Sequence, residues 1–285
     1  MKTPLFDYSG LIKDALAEDL GIQGDITTKA LFGPGAQASA IIKSKQQGVL
    51  SGVHLIAPIF SSLDPDMQIT IFLENGAALV PQSRICAIKG NVHAILAGER
   101  LALNFLQHLS GIATATNALA RLIAHTNAML LDTRKTTPLL RKLEKEAVVH
   151  GGGMNHRFGL FDMILIKDTH VKAAGGPAQA AKRALTYVET CGFALKIEVE
   201  IQSVEEFKQI INLPVHRIML DNMSIADMTT CVGIKTQKKM NVELEASGNV
   251  SADTIVSIAE TGVDFISVGA ITHSVKALDI HLVIE

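Results

Sequence analysis

Apolar positions along this chain follow two rhythms. Over residues 9–20 they recur at helical spacing, with Leu11, Ile12, Ala15 and Leu16 on one side, ahead of a glycine-bounded turn at 21–24. Strand-like runs follow at 38–45, 68–73 and 84–89, with a short helix predicted around 54–63 and weakened by Pro58. A long helical pattern, AILAGERLALNFLQHL, begins near Asn91, and a second helix, ATATNALARLIAH, is predicted after Gly111. Beyond it six short apolar runs recur, at 128–132, 163–167, 195–200, 217–221, 242–246 and 264–268, separated by helical periodicity. Alternating strands and helices imply right-handed βαβ units and a parallel sheet.

The ends of those runs carry the chemistry. Thr133, Arg134 and Lys135 follow the first, Lys167 ends the second, and Glu200 and Asp221 end the next two. Ser247, Gly248 and Asn249 follow the fifth, and Ser267 and Gly269 close the sixth. In a (β/α) barrel all strand C-termini converge on one face, whereas an open sheet spreads them along an edge. The expected fold is therefore α/β: an N-terminal α/β (α+β) domain over 1–110, then an incomplete (β/α) barrel of about six or seven parallel strands over 111–273.

Composition narrows the partner. A formal net charge of -2 with 19% charged residues argues against nucleic acid or an anionic membrane and leaves local basic sites for a small ligand. Residues 101–120 carry no formal charge, yet Asn104, Gln107, His108, Ser110, Thr114, Thr116 and Asn117 make a lipid span implausible; a buried or interfacial helix is expected. Cys86, Cys191 and Cys231 lack metal-ligand spacing and read as reduced thiols of a cytoplasmic protein. The N-terminal stretch shows no apolar core of signal-peptide length, in keeping with that location.

Four cations, Arg134, Lys135, Arg157 and Lys167, gather around two strand ends, with His156 placed among them by the Gly151, Gly152, Gly153 turn. Like charges repel, so a di- or tri-anionic ligand is expected. EASGN and SVGAIT resemble barrel phosphate loops, and Ser251 is a candidate start for a helix whose N-terminus favours an anion. Glu200 and Asp221 suit sugar hydroxyls, Mg²⁺ or a developing positive charge. Glu198 shares the face of Glu200 and is left to balance Lys167. Lys167 at a strand end also leaves a Schiff-base lyase open. Arg141, Lys142, Glu144, Lys145 and Glu146 read as a solvated helical face, and His93, His108, His125, His273 and His281 as structural or solvated.

The segments GDITT, ERLALNFLQHLSGIAT, DTRKTTP, GGGMNHRFGL, ILIKDTH, IEVE, IMLDNM, EASGN and GVDFISVGAITHS, in this order over nearly the whole chain, resemble the quinolinate phosphoribosyltransferase family. The resemblance implies condensation of quinolinate with phosphoribosyl pyrophosphate to nicotinate mononucleotide, pyrophosphate and CO₂ in de novo NAD synthesis. It implies Mg²⁺ with the phosphoribosyl donor, a C-terminal tail (274–285) that returns to the N-terminal domain, and a homodimer or larger assembly. Carried over by motif, Lys135, Lys167, Glu200 and Asp221 would be catalytic. Thr133, Arg134, Lys135, His156, Arg157 and Lys167 would line the quinolinate carboxylates and phosphate oxygens, and Arg100 would reach the partner subunit's site. Glu200 and Asp221 would face ribose and metal, while Ser247, Gly248, Asn249, Ser267 and Gly269 would cradle the 5′-phosphate. No organic cofactor is expected, since the alkylated pyridinium itself stabilises the carbanion left by CO₂. Leu139, Glu146 and Thr169 depart from the family's usual glycine, tyrosine and asparagine. A molybdate-transport-associated relative is the alternative within the same fold, disfavoured by the intact LLRKLEKEAV and LIKDTH contexts.

Overall fold

The computed structural model describes residues 8–285; residues 1–7, the beginning of the stretch read for a leader, lie outside the described residues. The described residues form two compact units, one of residues 8–115, 138–152 and 274–285 and one of 116–137 and 153–273. The segment Pro138–Gly152, expected within the barrel, therefore groups with the first unit.

In the first unit the helix Ser9–Leu20 buries Ile12 and Leu16 and stops at Gly21, whose φ of 51° leaves the helical region. A further helix, Ile26–Leu31, escaped the periodicity because it is only six residues long; its signal was the cap Asp25, whose Oδ1 accepts the Thr28 N–H at 3.0 Å. The strands are β1 (Gln37–Ser44), β2 (Gly48–Val49), β3 (Gln68–Ile71), β4 (Ala78–Leu79) and β5 (Arg84–Asn91). An antiparallel sheet runs in the order C-terminal strand Ile280–Ile284, β1, β5, β3, with Ile42 opposite Leu282 and Cys86. β2 and β4 pair separately. Pro58 is accommodated in the first turn of the helix Ile56–Leu63, where an N–H has no intrahelical partner to lose.

The helix Val92–Leu122 is continuous, so the predicted break at Gly111 does not occur. A Cβ there would lie 2.4 Å from the Lys276 carbonyl oxygen, and glycine serves close approach of the backbone rather than a turn. The polar residues that ruled out a lipid span act as clamps. Ser110 Oγ accepts the Ser51 N–H at 3.0 Å, Thr114 Oγ1 accepts the Val49 N–H at 2.9 Å, and Gln107 Nε2 donates to the Ile280 carbonyl at 2.7 Å. Among the described residues no helix is long and apolar enough to cross a membrane.

The expected solvated face on the helix Arg141–His150 is overturned: Glu144 and Lys145 are buried, Glu144 with His108 Nε2 2.8 Å from its Oε1. Spacing that suits surface pairs gives no information on which side another element covers. Glu146 accepts the Tyr8 hydroxyl at 2.9 Å and lies 2.7 Å from Lys142 Nζ.

The second unit holds β6 (Met129–Leu131), β7 (Met163–Ile166), β8 (Lys196–Ile201), β9 (Arg217–Asp221), β10 (Glu243–Ser247) and β11 (Phe265–Ser267), all parallel, in the order β6-β11-β10-β9-β8-β7. β6 and β7 are the edges, so this is an incomplete (β/α) barrel of six strands. Ile197, Val199, Ile218, Leu220, Leu244, Ala246 and Ile266 are fully buried on the outer face. The inner face of β8, β9 and β10 carries Glu198, Glu200, Arg217, Asp221, Glu243, Glu245 and Ser247. Barrel interiors are ordinarily filled by branched apolar side chains, so this charged filling marks a site.

Candidate active site

Register sets the inner residues in layers. Glu198, Arg217 and Glu243 pair across three strands, Glu200, Met219, Glu245 and Phe265 form the next layer, and Asp221, Ser247 and Ser267 the last. Above them opens a cavity of about 360 Å³ lined by Thr133, Arg134, Lys135, His156, Arg157, Leu165, Lys167, Glu200, Met219, Asp221, Glu245, Ser247 and Ser267. Residues expected from five strand ends and from the loop after β6 thus meet in one concavity. Gly248, Asn249 and Gly269 do not line it directly, and Arg100 lies exposed on the helix Val92–Leu122, in its part belonging to the first unit.

Its cations are held by their own loops. Thr133 Oγ1 accepts the Lys135 N–H at 3.0 Å, and Thr272 Oγ1 donates to the Lys135 carbonyl at 2.8 Å. Arg157 donates from Nη1 to the Met163 carbonyl at 3.2 Å. Burial and the neighbouring Arg134 guanidinium push the Arg157 pKa down. The Nε of Arg134 is buried with no hydrogen-bond partner among the described residues. Two guanidiniums that repel one another, one with an unused donor, have the chemistry that an anion would satisfy.

Lys167 ends β7 where the helix Asp168–Ala174 begins, and its backbone N–H is accepted by His170 Nδ1 at 3.0 Å, which fixes the junction. Its Nζ lies 4.0 Å from Glu200 Oε2. Burial, then the charge of Asp221, raises the Glu200 pKa, and Lys167 opposes the rise.

Beneath lies a cluster that strand-end reasoning missed. His156 Nε2 is 3.0 Å from Glu198 Oε2 and 3.4 Å from Glu245 Oε2, and Arg217 Nη1 donates to Glu245 at 2.8 Å while stacking 4.0 Å from the centre of the Phe265 ring. Glu198 therefore faces His156 rather than Lys167. Burial disfavours a charged His156, but the Glu198 and Glu245 carboxylates beside its Nε2 outweigh it and lift its pKa to about 9. The Arg157 N–H, donated to His156 Nδ1 at 2.7 Å, pulls the other way by favouring an unprotonated Nδ1. Nδ1 is thus taken by the Arg157 backbone, and Nε2 lies against two carboxylates. Burial, with the charge of Glu245, raises Glu198 to about 7. The alternation KIEVEI in β8 and ELEAS in β10 was the available signal: polar residues every second position in strands apolar on the other face. The His156, Glu198 and Glu245 donor atoms lie within 4.8 Å of one another, a spacing also compatible with a cation, but Arg217 already brings positive charge there.

The small-residue loop after β10 is shaped by left-handed backbone, with φ of 97° at Gly248 and 52° at Asn249. The helix expected from Ser251 does not start there. Ser251 sits in a turn, its N–H accepted by Thr254 Oγ1 at 2.9 Å, and the helix spans only Ile255–Ala259, so no helix N-terminus serves this loop at Ser251.

A barrel whose strand ends surround a cavity lined by both cations and carboxylates has the form of an α/β-barrel enzyme. The chain matches the families described as "Quinolinate phosphoribosyl transferase, N-terminal domain" over residues 25–110 and "Quinolinate phosphoribosyl transferase, C-terminal domain" over residues 112–283. It is 40% identical over 294 residues to the chloroplastic nicotinate-nucleotide pyrophosphorylase (carboxylating) of Arabidopsis thaliana, covering 99% of this chain and 84% of the relative. It is also 40% identical over 295 residues to the mitochondrial quinolinate phosphoribosyltransferase (decarboxylating) 2b of Nicotiana tabacum, covering 99% and 83%. The solved nicotinate-nucleotide pyrophosphorylase of Francisella tularensis superposes with a TM-score of 0.90 at 41% identity, covering 97% of this chain and 95% of that one. The chain belongs to the quinolinate phosphoribosyltransferase family.

Proposed function

We propose that this cavity transfers phosphoribosyl from phosphoribosyl pyrophosphate to the ring nitrogen of quinolinate, with loss of pyrophosphate and CO₂, giving nicotinate mononucleotide. The observation that carries the assignment of roles is the Arg134 and Arg157 pair, mutually repelling and with a buried unused Nε, which suits the two carboxylates of quinolinate. Lys135 and Lys167 extend the positive wall, and holding the dianion beside the anomeric carbon supplies the orientation a displacement needs. Glu200 and Asp221 face the positive charge that develops at the ribose as pyrophosphate leaves. Ser247 and Ser267, with the backbone at Gly248, Asn249 and Gly269, are assigned to the 5′-phosphate.

Glu200 and Asp221 offer oxygen donors only, and their mutual repulsion is of the kind a hard cation such as Mg²⁺ relieves, so they fit that ion. Bound with the donor substrate, the ion would neutralise charge on the departing pyrophosphate. Cys86 and Cys231 are buried and unpaired and Cys191 is a free thiol, which supports a reducing compartment such as the cytoplasm. None of the relatives named above is a lyase or a molybdate-associated protein.

An assay with quinolinate, phosphoribosyl pyrophosphate and Mg²⁺, with nicotinate in parallel, tests the reading. Nicotinate mononucleotide and CO₂ should form from quinolinate alone; folded protein yielding neither would overturn it. Arg100 is assigned to the partner's cavity in a homodimer. Mixing Arg100→Ala with Lys167→Ala chains should restore activity, and no restoration would remove that assignment.

A further inference from the structure

Asn222, the residue after Asp221, lines no part of the cavity and is exposed, yet it joins two pieces of the site. Its Nδ2 donates to Asp221 Oδ2 at 2.9 Å, and its Oδ1 accepts the Asn249 Nδ2–H at 3.1 Å. Its backbone N–H donates to the Ser247 carbonyl at 2.8 Å. Packing around this side chain is close: a Cβ on Gly248 would lie 2.1 Å from Asn222 Oδ1. Asn222 itself has a φ of 53°, a left-handed conformation that asparagine tolerates better than most residues.

We infer that Asn222 is a positioning residue for binding of the phosphoribosyl donor, its one amide clamping the Asp221 carboxylate on one side and the Gly248 and Asn249 loop on the other. The inference rests on the roles given above to Asp221 and that loop. A carboxylate accepting a fixed N–H presents its remaining lone pairs in one direction, and a loop tied to the same amide keeps its distance from that carboxylate. The ribose and the 5′-phosphate belong to one molecule, so that spacing selects the donor and leaves the quinolinate side of the cavity untouched.

Asn222→Asp keeps the shape, the tolerance of left-handed φ and the acceptor for Asn249, but replaces the donor to Asp221 by a repelling oxygen. Asn222→Gly keeps the backbone freedom and removes both arms. Loss of a group that orients a ligating side chain costs about 10–100-fold, so both variants should raise the KM for phosphoribosyl pyrophosphate by that order. The Kd for the same compound, measured by calorimetry without quinolinate, should weaken in parallel, with the KM for quinolinate unchanged. Unaltered donor affinity in both variants, with only a lower Tm, would make Asn222 a turn residue and overturn the inference. Full activity in Asp221→Asn would instead show that the carboxylate itself is dispensable, a failure of the site reading recognised separately from that of the clamp.

Discussion

Lys167 Nζ stands 4.0 Å from Glu200 Oε2 across the ends of two neighbouring strands, the lysine side chain half-exposed and the glutamate nearly buried. The cation offsets the burial and the Asp221 charge that together raise the Glu200 pKa. Replacing it should leave the fold intact, since half of its side chain is exposed and the junction with the following helix is held by its backbone N–H on His170. Lys167→Ala should cut turnover by about 10²- to 10³-fold, the usual loss of one charged group facing a transition state, with unchanged Tm and circular dichroism. Wild-type rates would take Lys167 out of the site.

Leu139, where the family resemblance leads one to expect glycine, has a φ of 66° and is 83% exposed. The left-handed backbone costs a residue with a Cβ about 1–2 kcal/mol, and glycine returns part of that through the entropy of its unfolded chain, so Leu139→Gly should stabilise by about 0.5–1 kcal/mol. Urea unfolding with an unchanged m-value reads this directly; a destabilised variant would mean that the leucine side chain contributes packing that its exposure does not suggest.

Two groups of the buried cluster, His156 and Glu198, are shifted upward, to about 9 and about 7, while His156 and Arg217 hold Glu245 below its ordinary value against its burial. A histidine raised above 6.5 contributes stability that is complete below that value and lost as pH climbs through about 9. A carboxylic acid raised from 4.5 likewise loses stability as pH rises through about 7. Both contributions fall in the same direction. Glu198→Gln removes one titration and one partner of the imidazole, so the His156 pKa should drop on NMR titration, and the decline of Tm with rising pH should flatten. An unmoved His156 titration would show that Glu245 alone sets it.

Much of this fold was legible because the buried outer face of each barrel strand puts an apolar residue at every second position of a short run. β9 falls on residues 217–221 as read, and the other five barrel strands shift by no more than one residue at either end. The cations and acids at strand ends were equally readable, since their positions follow from the barrel's polarity alone. What periodicity cannot convey is partnership over long sequence distance. His156 meets Glu198 and Glu245 across 42 and 89 positions of chain, and Glu144 meets His108 although its local spacing suits a surface. Asn222 was passed over for the same reason: an amide beside an acid has no meaning until the loop holding Asn249 is brought to it.

Gly111 separates a local from a tertiary account of glycine. Helix propensity alone makes Gly111→Ala stabilising by about 1 kcal/mol within the helix Val92–Leu122. The added Cβ would stand 2.4 Å from the Lys276 carbonyl oxygen and 3.3 Å from the Ala277 Cα, backbone atoms that cannot rotate away. Neighbouring chain is anchored on this helix by the Leu278 N–H donating to the Gln107 carbonyl at 3.0 Å and by Gln107 Nε2 on the Ile280 carbonyl, so relief requires moving a hydrogen-bonded segment. Overpacking of this kind costs about 1–3 kcal/mol, which exceeds the propensity gain. Gly111→Ala should therefore lower Tm, and hydrogen exchange should quicken at Leu278, whose N–H bonds to this helix. A rise in Tm would show that the close approach is relieved without cost and that Gly111 does nothing that alanine could not do better.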